Sequence, residues 1–312
     1  MLLVRGYDRK GNRVQEKVRY RPTFYLESKD PSRTKLRALD GTPVEEMHFE
    51  SMSESRKFVE TYKDVPSFKV YGNDRHIPAF IYSQFPLTVP YLPALIRICT
   101  LDIEVGKEAW GYSEVDEAKN PITAITVKNS TDNTCHTWGL KPYDSSKAIT
   151  TRYAIDYRQF KTEGQMLEDF LRWWIHPDNS PDIITGWNVR AFDIPYLVTR
   201  ITNLGGDEAA RVMSPWNLVE RKEVKLRGKA QLMCELVGIQ QLDYMDLFQK
   251  FAYTYGAQEQ YTLNHIAKVV LDANKLEYEG TLDDLYHADH QNFINYNIID
   301  VELVDRLEEK LG

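Results

Sequence analysis

The five residues 101–105, Leu-Asp-Ile-Glu-Val, limit what this chain can fold into more than any other stretch. The apolar run at 95–98 leads into them and predicts a buried strand that carries two acids. Because side chains alternate along a strand, Asp102 and Glu104 point the same way. Two carboxylates this close repel each other and lose hydration, and a divalent cation such as Mg²⁺ or Mn²⁺ relieves both costs. From this stretch alone, a metal site and a solvated strand end are equally good interpretations.

Two later stretches add acids to this pair. Residues 186–193 follow a short apolar run and place Asp193 at a strand-to-helix junction, near the positive end of a helix dipole. Residues 296–300 lie in a helical pattern, where a spacing of four puts Tyr296 and Asp300 on one face. The chain therefore carries Asp-x-Glu, Asn-x-x-x-Phe-Asp and Tyr-x-x-x-Asp in that order. Three such motifs together are far more specific than one alone.

These motifs resemble the exonuclease motifs of family B DNA polymerases, in the tyrosine-bearing (DEDDy) branch of the four-carboxylate 3′→5′ exonucleases. The similarity extends over essentially the whole chain and is greatest to the replicative polymerases of T-even-like bacteriophages. It implies a proofreading exonuclease that hydrolyses the 3′-terminal phosphodiester of DNA with two divalent metal ions, Mg²⁺ or Mn²⁺. A duplex end must be unpaired before it enters such a site, which favours mismatched ends.

The resemblance assigns a role to each residue of the motifs. Asp102 would bridge both ions, Glu104 and Asp300 would complete one metal site, and Asp193 would support the other. Tyr296 would orient the attacking water, since its hydroxyl can donate and accept hydrogen bonds.

Three further residues receive roles by the same resemblance. Asn188 and Phe192 would position the 3′ nucleotide or the loop that carries them, although the position of Phe192 just before the helix favours packing in the core over contact with substrate. Lys275 would lie close to the catalytic carboxylates, with an ordinary surface position as the alternative.

Residues 220–236 predict an exposed, basic β-hairpin with a glycine in its turn. By resemblance, such a hairpin helps to hold the two DNA strands apart, and a plain solvated hairpin is the alternative. Its basic tip comprises Lys225, Arg227, Gly228 and Lys229.

The order of the patterns predicts two domains: a small α+β N-terminal domain over residues 1–94 and an exonuclease domain over residues 95–312. The second pattern gives three antiparallel strands, a helix, and a strand reached by a helical crossover, which is expected to be parallel to its neighbour. This is the order of an α/β, ribonuclease-H-like fold with a mixed sheet flanked by helices. The glycine pair 205–206 is expected to end the helix that Asp193 opens.

Charge is divided unevenly along the chain. The net charge is −7, but residues 1–40 hold eleven basic and five acidic side chains, a balance of +6, so the remainder carries −13. The basic front end is compatible with contacts to nucleic-acid phosphates, and RNA is a candidate partner of the N-terminal domain beside DNA. An ordinary solvated basic surface is the alternative.

Three cysteines in no Cys-x-x-Cys spacing indicate a reducing compartment and argue against a structural zinc site. The sequence also has no long apolar run and no signal-peptide pattern. We therefore expect no membrane partner and a cytoplasmic location, inside the bacterial host of a phage.

The polymerase motifs of family B have no counterpart here, so we expect no DNA synthesis from this chain alone. It would be a fragment or one subunit of a split polymerase, with the palm, fingers and thumb as its partner in cis or in trans. A nucleic-acid-binding or regulatory module and a stand-alone exonuclease acting on RNA or oligonucleotides remain alternatives. The full set of four acids with Tyr296 favours catalysis over binding alone, and the extra domain and hairpin disfavour the stand-alone enzyme.

Overall fold

The computed structural model describes residues 1–72, 74–85, 92–108, 111–226, 229–273 and 280–311. The chain forms two compact units, Met1–Leu95 and Ile96–Gly312, and each is described by itself. No helix within the described ranges has the length and apolarity needed to cross a bilayer.

The first unit consists of two small antiparallel sheets and two helices. Its elements are β1 (Leu2–Tyr7), β2 (Arg13–Val18), β3 (Thr23–Glu27), β4 (Val44–His48), α1 (Met52–Tyr62), β5 (Val70–Tyr71) and α2 (His76–Gln84). β1 pairs with β2, and β3 lies between β4 and β5. Ser51 caps α1 by accepting the backbone N–H of Glu54 at 3.1 Å. β2 and β3 belong to different sheets, and between them lies Pro22, which has no N–H to donate to a ladder.

The second unit is built around a six-stranded sheet in the order β13-β10-β6-β7-β8-β9. Its elements are β6 (Ile98–Val105), β7 (Ile122–Asn129), β8 (Thr134–Gly139), β9 (Ala154–Gln159), α3 (Glu163–Ile175), β10 (Ile183–Gly186), α4 (Asp193–Arg211), β11 (Val219–Leu226), β12 (Lys229–Leu236), β13 (Gln240–Asp243), α5 (Tyr244–Phe251), α6 (Leu263–Leu271), α7 (Leu282–Ala288) and α8 (His290–Leu311).

The topology of this sheet is the one that the sequence predicts. β6, β7 and β8 are antiparallel, and β10 returns through α3 to lie parallel to β6. A mixed sheet flanked by helices confirms the ribonuclease-H-like fold class. Sequence analysis missed two strands, β9 and β13, which lie at the two edges of the sheet and run parallel to their neighbours. Both strands are rich in polar residues and mostly half-buried, so no apolar run marks them in the sequence.

The central strand β6 separates a packing face from a polar face. Odd-numbered side chains in Cys99–Ile103 are buried in a core that they share with α3 and α4. The even-numbered side chains face α8 instead: Thr100 donates to Asp305 at 2.6 Å, and Asp102 accepts from Asn297 at 2.6 Å. The period of two therefore directs both acids of this strand towards one helix.

The helix opened by Asp193 is interrupted at the glycine pair, as the sequence predicts. Gly206 takes φ +80° and ψ 171°, which breaks the helix, because glycine tolerates this positive φ. The sequence analysis did not predict that a second helical segment follows directly and continues α4 to Arg211.

One buried carboxylate accepts hydrogen bonds from the backbone of the loop between β10 and α4. Asp243, 4% exposed, accepts the backbone N–H groups of Asn188 and Arg190 at 3.0 Å each. The same side chain caps α5 by accepting the N–H of Met245 at 3.0 Å. At the start of the loop, a Cβ on Gly186 would lie 2.5 Å from the backbone oxygen of Leu101, so this crossing requires glycine. The second motif is thereby fastened directly to the strand that carries the first.

We expect Asp243→Ala to lower the free energy of unfolding by about 2–4 kcal/mol, because three backbone N–H groups lose their acceptor. Asp243→Asn should cost about 1–2 kcal/mol, since its carbonyl oxygen can still serve the two donors to Oδ1 while its NH₂ faces the N–H of Arg190. Urea unfolding of the two variants beside the parent chain measures both values. Equal stability of the alanine variant and the parent would contradict this account of the loop.

Candidate active site

Three carboxylates from two distant parts of the sequence converge on the polar face of β6. Oxygen atoms of Asp102, Glu104 and Asp300 all lie within 4.8 Å of one another. Glu104 and Asp300 are 7% and 5% exposed, and Asp102 is half-buried. The structure thus brings together the first and third motifs, as the family resemblance implies.

The helix α8 is fixed against the sheet on both sides of Asp300. Near its start, Asn295 accepts a hydrogen bond from the hydroxyl of Tyr143 at 2.9 Å. Beyond the acid, Asp305 pairs with Lys128 at 2.6 Å and accepts from the hydroxyl of Tyr153 at 2.9 Å. Along the helix, a set of apolar side chains packs it onto β7 and β8: Phe293, Ile294, Ile298 and Val301 with Ala124 and Cys135.

Asp193 lies next to the three acids without joining their group. It is the first residue of α4 and 3% exposed, and its Oδ1 accepts the backbone N–H of Ile103 at 2.9 Å. Ile103 stands between Asp102 and Glu104 in β6, so the fourth acid is fastened to the backbone of the acidic strand. Burial raises the pKa of Asp193 to about 7, and the nearby acids, Asp300 among them, act in the same direction.

Asn188 and Phe192 of the second motif help to fix the conformation of the loop between β10 and α4. Asn188 adopts φ +63°, and its carbonyl oxygen accepts the N–H groups of Ala191 and Phe192 at 3.1 and 3.0 Å. The ring of Phe192 lies 5.5 Å from that of Tyr196 and packs partly against the core. Contact of Asn188 or Phe192 with a nucleotide therefore stays a prediction.

Tyr296 is half-buried on α8, one turn before Asp300, and packs against the same apolar cluster as its neighbours. The helical spacing of four that the sequence predicts between them holds, because α8 is continuous from His290 to Leu311.

The structure describes part of the predicted hairpin, whereas the predicted Lys275 lies outside the described residues. β11 and β12 pair antiparallel, with Lys225 opposite Ala230 and the Lys229 backbone opposite Leu226. Arg227, Gly228 and Lys275 lie outside the described residues, so their predicted roles stay predictions.

One residue at the site was missed by sequence analysis. Asn297 is fully buried, and its Nδ2 donates to Oδ2 of Asp102 at 2.6 Å. Its position three residues before Asp300 places both side chains on one face of the helix, which is the signal that could have identified it.

The three converging carboxylates fit a hard divalent cation. They offer only oxygen donors, which suit Mg²⁺ and Mn²⁺, and two of them are buried where negative charge is costly. Asp102, Glu104 and Asp300 could therefore bind a metal ion at this face of the sheet.

In the absence of divalent ions, we expect Asp193 to make the chain less stable as pH rises from about 4 to about 7. Its pKa is raised in the folded state, so the folded chain binds this proton more tightly than the unfolded chain, and stability falls as the proton is lost. Asp193→Asn keeps an acceptor for the Ile103 N–H and has no proton to lose.

Thermal unfolding in chelator at several pH values would measure this, with the exposed Asp207→Asn as control. The decline should be shallower in Asp193→Asn than in the parent and the control. Parallel curves for all three would show that Asp193 titrates normally.

Comparison with known proteins places this arrangement in a family. The sequence matches the exonuclease domain of DNA polymerase family B over residues 80–266. The DNA-directed DNA polymerase of Escherichia phage RB69 is 30% identical over 329 residues, covering 99% of this chain and 36% of that polymerase. The polymerase of Enterobacteria phage T4 is 27% identical over 331 residues, covering 100% of this chain and 36% of its own length. The DNA polymerase delta catalytic subunit of Dictyostelium discoideum is 27% identical over 70% of this chain.

The chain thus spans 36% of the length of the two phage relatives. The family match covers more than half of the chain and includes Asp102, Glu104 and Asp193, which confirms the resemblance inferred from the motifs. By the sequence match, the mixed sheet and the convergent acids, the chain belongs to DNA polymerase family B, of which it carries the exonuclease domain.

Proposed function

We propose that this chain is the 3′→5′ proofreading exonuclease portion of a phage-type replicative DNA polymerase, removing nucleotides from the 3′ end of DNA. The observation that carries the proposal is the convergence of Asp102, Glu104 and Asp300, from β6 and α8, within 4.8 Å. Family membership supports it, because the matched domain is described as an exonuclease domain.

Each acid has a distinct part in this proposal. Asp102, Glu104 and Asp300 would hold the divalent cations, with Asp193 as the fourth carboxylate from the start of α4. A pair of such cations supplies activation of water and stabilisation of the leaving oxygen in phosphodiester hydrolysis. The N–H of Ile103, which holds Oδ1 of Asp193, keeps that carboxylate beside the strand that carries the first two acids.

The remaining side chains would bind and orient the reactants. The Tyr296 hydroxyl would hold the attacking water in line with the terminal phosphodiester, since a phenol both donates and accepts. Asn188 and Phe192 would position the 3′ nucleotide, and Lys275 would lie close to the carboxylates. The hairpin with its basic tip would help to keep the strand end unpaired, which selects frayed and mismatched ends.

Synthesis would belong to another part of the protein. The chain covers about a third of its phage relatives, which are named DNA-directed DNA polymerases. We propose that a polymerase portion, in the same polypeptide or in a second chain, delivers the DNA end to this site inside the host cell.

The direct test is degradation of a 5′-labelled single DNA strand in Mg²⁺. The parent chain should shorten the strand from its 3′ end, and chelator or the double change Asp102→Ala, Glu104→Ala should abolish the ladder, because the cations lose two ligands. A matched control is Asp207→Ala, Glu208→Ala, which removes two exposed acids of α4 in the same unit.

Intact DNA with the parent chain, both alone and with a family B polymerase fragment added in trans, would sink the proposal. Faster degradation of an RNA strand than of DNA would favour the stand-alone RNA exonuclease instead.

Tyr296→Phe separates the hydroxyl from the ring. We expect kcat to fall about 100-fold, the order of loss when a reactant is misplaced by about 1 Å. The KM for DNA and the thermal stability should change little, because the ring still packs in the apolar cluster. Single-turnover rates with the same labelled strand measure this, and an unchanged rate would show that the hydroxyl has no part in hydrolysis.

A further inference from the structure

We propose that Asn297 is a positioning residue that sets the divalent-cation affinity of Asp102, an inference that rests on the metal-dependent function proposed above. The two residues are 195 positions apart in sequence and meet only because α8 lies on the polar face of β6. The contact joins the amide nitrogen Nδ2 to the carboxylate oxygen Oδ2 at 2.6 Å. Bonds from N–H to an ionised oxygen are the shorter and stronger class of hydrogen bond.

An asparagine at position 297 lowers the stability of the fold compared with an apolar residue of similar size. The side chain is fully buried, and its carbonyl oxygen Oδ1 has no hydrogen-bond partner within the described part of the chain. Next to it in sequence, Ile298 is fully buried in an apolar cluster, so a leucine at 297 would avoid the penalty of a buried unsatisfied oxygen. A residue that breaks a local packing rule in this way is expected at a functional site.

The Asp102 carboxylate determines which way the Asn297 amide is turned. If the amide were turned over, its carbonyl oxygen would face the carboxylate of Asp102, and two acceptors would repel each other. Only the orientation with Nδ2 towards Asp102 is favourable, so the donor is directed at this acid by the site itself.

The neutral Asn297 amide orients the Asp102 carboxylate without neutralising its negative charge. A carboxylate has about four lone-pair sites, and the Asn297 N–H occupies one of those of Asp102. The hydrogen bond restricts rotation of the carboxylate, which holds it beside Glu104 and Asp300. A lysine or arginine here would also bind Asp102, but its positive charge would oppose a cation, whereas the neutral amide does not.

The experiment measures Mn²⁺ binding to the full chain, without DNA, by calorimetry and by the spin-resonance signal of free Mn²⁺. Loss of a partner that orients a metal ligand typically lowers metal affinity 10–100-fold, and we expect about this loss in Asn297→Leu. Asn297→Gln retains an amide donor and should bind Mn²⁺ more tightly than Asn297→Leu. If the leucine variant does not fold, Asn297→Ala, which removes the donor without adding bulk, replaces it in this comparison.

Asn295 provides the matched control on the same helix. It is 4% exposed and accepts hydrogen bonds from Tyr143 and from the backbone of Ile149 at 2.9 and 3.2 Å. Because these hydrogen bonds hold α8 but do not involve Asp102, Asn295→Leu should lower the melting temperature and lower Mn²⁺ affinity much less than Asn297→Leu does. A structural role for Asn297 would give the same pattern as this control.

Mg²⁺ dependence of hydrolysis gives a second readout. In Asn297→Leu the Mg²⁺ concentration for half-maximal rate should rise, with the KM for DNA unchanged. Parent-like Mn²⁺ affinity in a folded Asn297→Leu would overturn the inference while leaving the nuclease proposal intact. A parent chain that neither binds Mn²⁺ nor degrades DNA would overturn both.

Discussion

Mutual repulsion of three carboxylates is the constraint around which the second unit is built. Two unit charges about 4 Å apart interact by about 4 kcal/mol at the effective dielectric constant of a protein surface. A folded domain has a free energy of unfolding of only about 5–15 kcal/mol. Repulsion among Asp102, Glu104 and Asp300 therefore costs a substantial part of the stability of this unit. A bound cation reverses the sign of this term, which makes the acids stabilising when the ion is present.

The structure resists the repulsion by fixing the backbone on both sides of it. β6 is a central strand, with β10 and β7 as hydrogen-bonded neighbours, and cannot shift without breaking two ladders. α8 is held by Asn295 before the acid and by Asp305 after it. Lys128 and Asp305 are each about 15% exposed, so this ion pair is shielded from solvent and less weakened by salt than a surface pair. Asp243 fixes the loop of the second motif by accepting the backbone N–H groups of Asn188 and Arg190, and it also accepts that of Met245 at the start of α5.

Much of this arrangement could be predicted because its signals are local. Alternation along the strand placed Asp102 and Glu104 on one face, and the helical spacing placed Tyr296 beside Asp300. The contact between Asn297 and Asp102 could not be predicted in the same way, because it depends on which face of α8 meets which face of β6 across 195 residues. The link from Asp193 to the Ile103 N–H was hidden for a similar reason, since it involves a backbone group that leaves no mark in the sequence. The edge strands β9 and β13 are short and mixed in burial, so their pattern does not stand out from a loop.

The distance in sequence between β6 and α8 has a consequence for how the protein is made. The acids of β6 leave the ribosome well before the helix that completes their group. A growing chain that stops short of α8 lacks Asp300 and the amide that holds Asp102, so β6 then carries its two acids without these partners. The complete group of acids therefore forms only when α8 has been made and has docked on β6. A chain without α8 would have an incomplete set of metal-binding acids.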